Sequence, residues 1–291
     1  MTAPAAEERF VSAGGRRTRL LAAGAGPPLV LLHGWPMTAR AFRHVMAPLA
    51  AAGWGVLAPD LPGLGGSDEA SAGYDTVAVA GDVLAALRAL GHERAAVVGH
   101  DVGAMVAVSL ALAHPEAVAA LCVGEFDAPG LGTWDEAWRN PRLWHFHFHG
   151  TPGLPETVLA GREREYLRFF YERDGRTPGA WSEDDLDGYA RAYAAPDRLR
   201  AGFDYYRAFP RSAERNRALF AARGKLRHPL LAMGGEHSLG AGVERSMRGV
   251  AERVEGLVFA GSGHFLPEER PAEFARAAAD FLSRHGAGTQ A

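Results

Sequence analysis

Cysteine is almost absent: the 291-residue chain has one, Cys122, so an internal disulfide is excluded. Its apolar neighbours in AALCV make it a core residue instead of a reactive thiol. Equally missing is any run near the roughly 20 continuous apolar residues that a membrane span needs. The opening MTAPAAEERF lacks the charged-then-apolar order of a signal peptide, and the expected location is therefore the cytoplasm. No charge sign dominates, because 31 basic residues face 34 acidic ones for a net of −3, with both signs interleaved along the chain. Without a basic stripe to displace counterions, nucleic acid is not an expected partner. What is present places the chain among globular proteins: 47% hydrophobic and 22% charged residues lie far from the disordered regime. The length is enough for one large domain or two coupled ones, with a core that needs no disulfide or metal staple.

The pattern along the chain is strand, helix, strand. ERFVSAGGRRTRLLAAG reads as two short strands hinged at Gly14-Gly15. LVLLH follows Pro27-Pro28 and ends at Gly34 and Pro36; a helix is expected over 39–52, then the strand GVLAP. The alternation continues with a helix over 76–90, the strand AAVVG, a helix over 102–113 and the strand AALCVG. Such repetition predicts an α/β protein with a mostly parallel central sheet flanked by helices. Composition then changes. Residues 127–227 hold four of the six tryptophans and six of the seven tyrosines, at helical spacing and with no strand series. The reading is a helical cap, 127–227, inserted after the sixth strand of a core built from 1–126 and 228–291, with the natural pocket between them. The core grammar resumes with HPLLAMGG, a helix over 242–253, the strand GLVFAG and a last helix over 271–285. The tail GAGTQA is expected to be mobile.

Three short segments carry chemistry. GHDVG, at 99–103 between a strand and a helix, has the nucleophile-elbow pattern with Asp101 in the reacting position. Its bland alternative is a helix N-cap aspartate. HGWP, at 33–36 after an earlier strand, brings the Trp35 N–H where it can join that of Val102 in an oxyanion hole. GSGHFLPEERP puts His264 in a glycine-flanked loop beyond the last strand. His33 and His100 flank these motifs and read as structural hydrogen bonders at strand ends. DLPGLGGSD, at 60–68, lacks the lysine and spacing of a phosphate loop and reads as a mobile loop near the site.

Together HGWP, GHDVG and GSGH resemble the α/β-hydrolase fold over about 29–284, and an elbow aspartate resembles its epoxide hydrolase and dehalogenase branch. The segments LWHFHFHG at 143–150, LAGRERE at 159–165, YARAYAAPDRLRAGFDYYRA at 189–208 and GSGHFLPEE at 261–269 are similar to the Cif-type epoxide hydrolases. That resemblance implies Asp101 as nucleophile, His264 as general base, Glu125 as the acid orienting it, and His145 with Tyr206 as the cap groups holding the epoxide oxygen. Glu236 is the rival for the acid, with Asp127 two residues from Glu125; Tyr205 is the rival for the phenol. The implied partners are a small apolar epoxide and water, with no cofactor and no metal; a homodimer is left open. If Trp144 to His149 were extended, His145, His147 and His149 would share one face as a metal site, but no cysteine or carboxylate cluster accompanies them.

Two relatives of that branch fit less well. Haloalkane dehalogenases typically follow the nucleophile with a halide-binding tryptophan, where this chain has Val102. Fluoroacetate dehalogenases place arginines just after it to bind a carboxylate, where this chain has Val102 and Met105, so an anionic substrate is disfavoured. The secreted role of the Cif-type protein is not carried over, since no signal peptide or cysteine pair is evident. A dehalogenase using the same ester chemistry, or a ligand-binding protein with an idle triad, are the alternative readings.

Overall fold

The computed structural model describes residues 6–286. The mobile tail expected for GAGTQA lies, beyond Gly286, outside the described residues. Eight strands form one sheet: β1 (Glu7–Ala13), β2 (Arg16–Ala23), β3 (Pro28–Leu32), β4 (Gly55–Pro59), β5 (Ala95–His100), β6 (Val118–Gly124), β7 (Leu226–Gly235) and β8 (Ala251–Phe259). Their order is β1-β2-β4-β3-β5-β6-β7-β8. The first two joints, β1 with β2 and β2 with β4, are antiparallel, and the remaining ones are parallel. Strands β3 and β5 are buried on both faces. In β3, Leu29 and Leu31 belong to one core cluster and Val30 and Leu32 to the other, as a period of two requires.

Helices α1 (Met46–Ala51), α2 (Thr76–Ala89) and α3 (Val102–Ala113) connect the first strands, and α11 (Gly242–Arg248), α12 (Leu266–Glu269) and α13 (Pro271–Arg284) follow β7 and β8. Phe274 and Phe281 of α13 pack with Phe42 and Leu49 on one face of the sheet, while α2 and α3 cover the other. Cys122 sits fully buried in the first of these layers, where burial pushes its thiol up, as the sequence reading expects. Among the described residues no helix is long and apolar enough to cross a membrane.

Between β6 and β7 the chain is helical: α4 (Trp134–Arg139), α5 (Trp144–Gly150), α6 (Leu154–Leu159), α7 (Glu163–Asp174), α8 (Glu183–Tyr193), α9 (Pro196–Arg207) and α10 (Phe209–Arg223). This block is pinned to the loops after β3 and β4 by hydrogen bonds from Tyr193 Oη to the Met37 carbonyl (3.1 Å) and from Tyr205 Oη to the Pro62 carbonyl (2.9 Å).

Three local expectations need correction. The helix expected over 39–52 is a 3-10 turn, Ala39–Phe42, followed by α1. Starting at Met46 puts Pro48 in the first turn, where its missing N–H costs no helical bond. The helix expected to run to residue 253 stops at Arg248, and β8 begins at Ala251 because that segment pairs with β7 at the sheet edge. Its exposed charged residues mimic a helix in sequence. The 60–68 loop is anchored: Asp60 accepts from Ala39 N and Gly66 N and pairs with Arg19 at 2.8 Å, and Arg198 donates to the Ser67 carbonyl.

Candidate active site

The C-terminal ends of β3, β5, β6 and β7 converge on one point. After β5 the chain turns sharply into α3, and Asp101 takes φ +54°, ψ −123° at the corner. Such a conformation costs a non-glycine residue about 1–3 kcal/mol and persists only when the surroundings enforce it. Here the enforcement is close packing without side chains. A Cβ on Gly103 would stand 2.1 Å from the Leu32 carbonyl oxygen, and one on Gly34 would stand 2.3 Å from Asp101 Oδ1. The turn thus holds the carboxylate against the loop after β3. Asp101 makes no side-chain cap bond to α3, which disposes of the N-cap alternative.

The same loop supplies donors. Trp35 N–H donates to Asp101 Oδ1 at 2.8 Å, and the Val102 N–H follows directly at the start of α3. Burial raises the Asp101 pKa above its ordinary value, opposed by the neighbouring His264 cation and by these two N–H groups.

His264 Nε2 lies 3.7 Å from Asp101 Oδ2, and its Nδ1 is 3.0 Å from Glu125 Oε2. Glu125 directly follows β6 with φ +55°, a second strained position beside the first, and nothing in the sequence signals it. Its carboxylate also accepts from Gly235 N–H (2.6 Å) and from the Ser238 hydroxyl. That hydroxyl is a member of the site that sequence reasoning missed. Burial alone would depress the His264 pKa, but the Glu125 hydrogen bond, the Glu125 charge and the charges of Asp101 and Asp174 outweigh it and push it up to about 9. His100, buried and held neutral by desolvation, bonds the His264 carbonyl through Nε2 at 2.7 Å. His33 bridges the Gly34 carbonyl and Leu61 N–H, so both histidines have the structural roles expected of them.

The rivals sit elsewhere. Glu236 is exposed and accepts from Gly261 N–H, while Asp127 accepts from Thr133 Oγ1 at 2.6 Å. Neither bonds His264. Tyr205 is spent on the Pro62 carbonyl and packs on Tyr74, its ring 5.1 Å away.

Asp101, Glu125, His264, His145, Tyr206 and Trp35 all line one cavity of about 840 Å³, roofed by Trp144, Phe146 and Phe170. Tyr206 is buried and its ring packs 5.8 Å from that of Trp35. Its pKa is raised by burial and by the Asp101 charge, so it is a neutral donor. His145 lies in α5 with its ring 6.0 Å from that of Tyr206. Burial, then Arg173, push its pKa down to about 3, and its Nδ1 has no protein partner. Because 144–150 is helical, His145 and His149 share a face one turn apart and His147 points away, bonding the Trp138 carbonyl. His149 is bonded to Tyr166 at 2.6 Å. Among the described residues no group of three or more His, Cys, Asp or Glu is placed to hold a metal.

The arrangement is a buried carboxylate, Asp101, bonded by the Trp35 N–H, an imidazole, His264, held by the second carboxylate of Glu125, and the neutral side chains of His145 and Tyr206 in the same cavity. A family model described as alpha/beta hydrolase fold matches residues 27–271. Among curated proteins, the soluble epoxide hydrolase of Corynebacterium sp. (strain C12) is 35% identical over 263 residues, 88% of this chain and 90% of that protein. The fluoroacetate dehalogenase of a Burkholderia species is 29% identical over 301 residues, 95% of this chain and 94% of its own. Among solved structures, wild-type Cfl2 from Burkholderia cenocepacia is 38% identical with a TM-score of 0.87, covering 94% of this chain and 95% of that one.

Proposed function

Since the chain belongs to the α/β-hydrolase fold family, we propose that it is an epoxide hydrolase, adding water to an epoxide to give a vicinal diol through an ester on Asp101. The observation that carries this reading is the pair of neutral side chains, His145 and Tyr206, lining the same cavity as the Asp101 carboxylate. An epoxide oxygen stays attached as the ring opens and becomes an alkoxide, so the reaction needs donors opposite the attacking carboxylate. A departing halide needs a donor too, and Val102 has no side-chain one to offer.

In the first step Asp101 Oδ2 forms a bond to a ring carbon, the C–O bond of the epoxide breaks, and the oxygen takes a proton from the cap donors, which solvent restores. Esterification removes the Asp101 charge, one of the causes holding the His264 pKa up, so His264 becomes available as a neutral base. It then takes a proton from water, which attacks the ester carbonyl. Oδ1 carries the developing charge, and Trp35 N–H already bonds that atom. Collapse breaks the bond from the carbonyl carbon to the diol oxygen, and His264 returns the proton to the leaving alcohol. Glu125 holds the tautomer and stabilises the imidazolium.

In this reading residues 127–227 form the cap over a core of 1–126 and 228–291, the substrate is a small apolar epoxide, and the protein works in the cytoplasm as a monomer or homodimer. The test is a His264→Gln variant incubated with terminal and aryl epoxides and matched haloalkanes, followed by intact-protein mass spectrometry. Addition of a whole epoxide mass on the Asp101 peptide is the expected result. Adducts from haloalkanes alone would move the assignment to a dehalogenase, and a folded variant that gains no mass from either panel would remove Asp101 as nucleophile.

A further inference from the structure

Glu269, at the end of α12 and only 4% exposed, makes no ion pair among the described residues, yet its carboxylate accepts four backbone N–H bonds. Two come from the residues on either side of His264: Gly263 N–H to Oε2 and Phe265 N–H to Oε1, each at 3.0 Å. The other two come from the chain just after α7, Arg176 N–H at 2.8 Å and Thr177 N–H at 2.9 Å, both to Oε2. The contact between the two segments is completed by His264 N–H, which donates to the Asp174 carbonyl at 2.9 Å. A Cβ on Gly263 would stand 2.1 Å from that same oxygen, so the segments touch through backbone alone. A buried carboxylate is costly unless its lone pairs are used, and here they are used to fix a loop and the helical block against each other.

We propose that Glu269 is a positioning residue for the base: one carboxylate sets the height of the His264 loop and locks it to the 174–177 segment of the cap. The inference rests on the ester mechanism above. His264 works in ester hydrolysis, whereas ring opening is the task of Asp101, His145 and Tyr206. Loosening the loop therefore slows the second half-reaction and spares the first. A merely structural role makes no such distinction.

The experiment is rapid-quench intact-mass analysis of Glu269→Gln and Glu269→Asp, with the wild type and His264→Gln as references, on whichever epoxide labels His264→Gln. Gln keeps the size but turns an N–H toward N–H donors; Asp keeps the charge but falls short of both segments at once. The expected outcome is a rate of ester decay lowered by about tenfold or more, as a displacement of about an ångström in a reacting group implies. Ester then accumulates on Asp101 in turnover, while kcat/KM, which reports ring opening, changes by less than about threefold. The amplitude of labelling counts folded active sites, so partial unfolding lowers amplitude and not the rate. Equal losses in both half-reactions, or unaltered ester decay in both variants, would overturn the proposal. An absence of ester in His264→Gln would overturn the mechanism itself and be recognised as such.

Discussion

Tyr206 and Tyr205 are adjacent in sequence and opposite in circumstance: the first lines the cavity, and the second donates to the Pro62 carbonyl at 2.9 Å. In the proposed ring opening, charge develops on an oxygen inside the cavity, which Tyr206 lines and Tyr205 does not. We expect Tyr206→Phe to lower kcat/KM for epoxides by about 10²–10³, the usual loss for one donor on a developing oxyanion. Formation of an alkyl ester from a haloalkane in the His264→Gln background should be unaffected by the same change. Tyr205→Phe is expected to cost about 1 kcal/mol of stability and leave kcat/KM within a few-fold. Equal kinetic losses at the two positions would undo the role given to Tyr206. Asp101 and His264 were legible because their motifs constrain backbone as well as side chain. Glu125 was reached only through resemblance: its positive φ and its bonds to His264, Gly235 and Ser238 involve residues more than a hundred positions away.

At the scale of elements, α8 docks onto the core through charge. Arg43 stands 2.7 Å from Glu268 and 3.0 Å from Asp185, Arg40 stands 2.7 Å from Asp185, and Tyr189 Oη donates to Glu268 at 2.8 Å. Burial raises the Glu268 pKa to about 7, opposed by Arg43 and Tyr189. Arg43 bridges both carboxylates, and removing it leaves Asp185 with Arg40 but the buried Glu268 with Tyr189 as its side-chain partner among the described residues. Arg43→Met should therefore destabilise the protein by about 3 kcal/mol in urea unfolding, while Glu268→Gln, which keeps an acceptor for Tyr189, should cost clearly less. Comparable costs would mean that the charges there do not set the stability. None of this could be read from sequence, since the partners come from α8, from α12 and from the turn before α1. Element identities were legible wherever period and breakers agreed, as in β3, α2 and α3. They failed where one pattern serves two structures, as at 251–253, whose charged residues suit a helix until an adjacent strand supplies hydrogen bonds.

For the whole molecule, the ionisation of the site is linked to stability. The His264 pKa is about 9 in the fold against an ordinary 6.5, so the folded state binds the proton more tightly. Its contribution is complete below pH 6.5 and is lost as pH rises through 9, about 3 kcal/mol at the outside. Glu268 acts in the same direction at lower pH, because its raised pKa withdraws stability as pH climbs from 4.5 toward 7. Urea midpoints of the wild type should therefore fall between pH 7 and 9.5, with a flatter slope in His264→Gln; parallel slopes would deny the linkage. The sequence by itself determined the alternating α/β grammar, the helical block after the sixth strand, the elbow aspartate and the late histidine, because each depends on neighbours a few residues apart. Only the tertiary structure decided which acid meets His264, which tyrosine lines the cavity, and that Glu269 ties the base loop to the helices above it. Those are distances between segments far apart in the chain, and they exist only once the sheet brings its strand ends together.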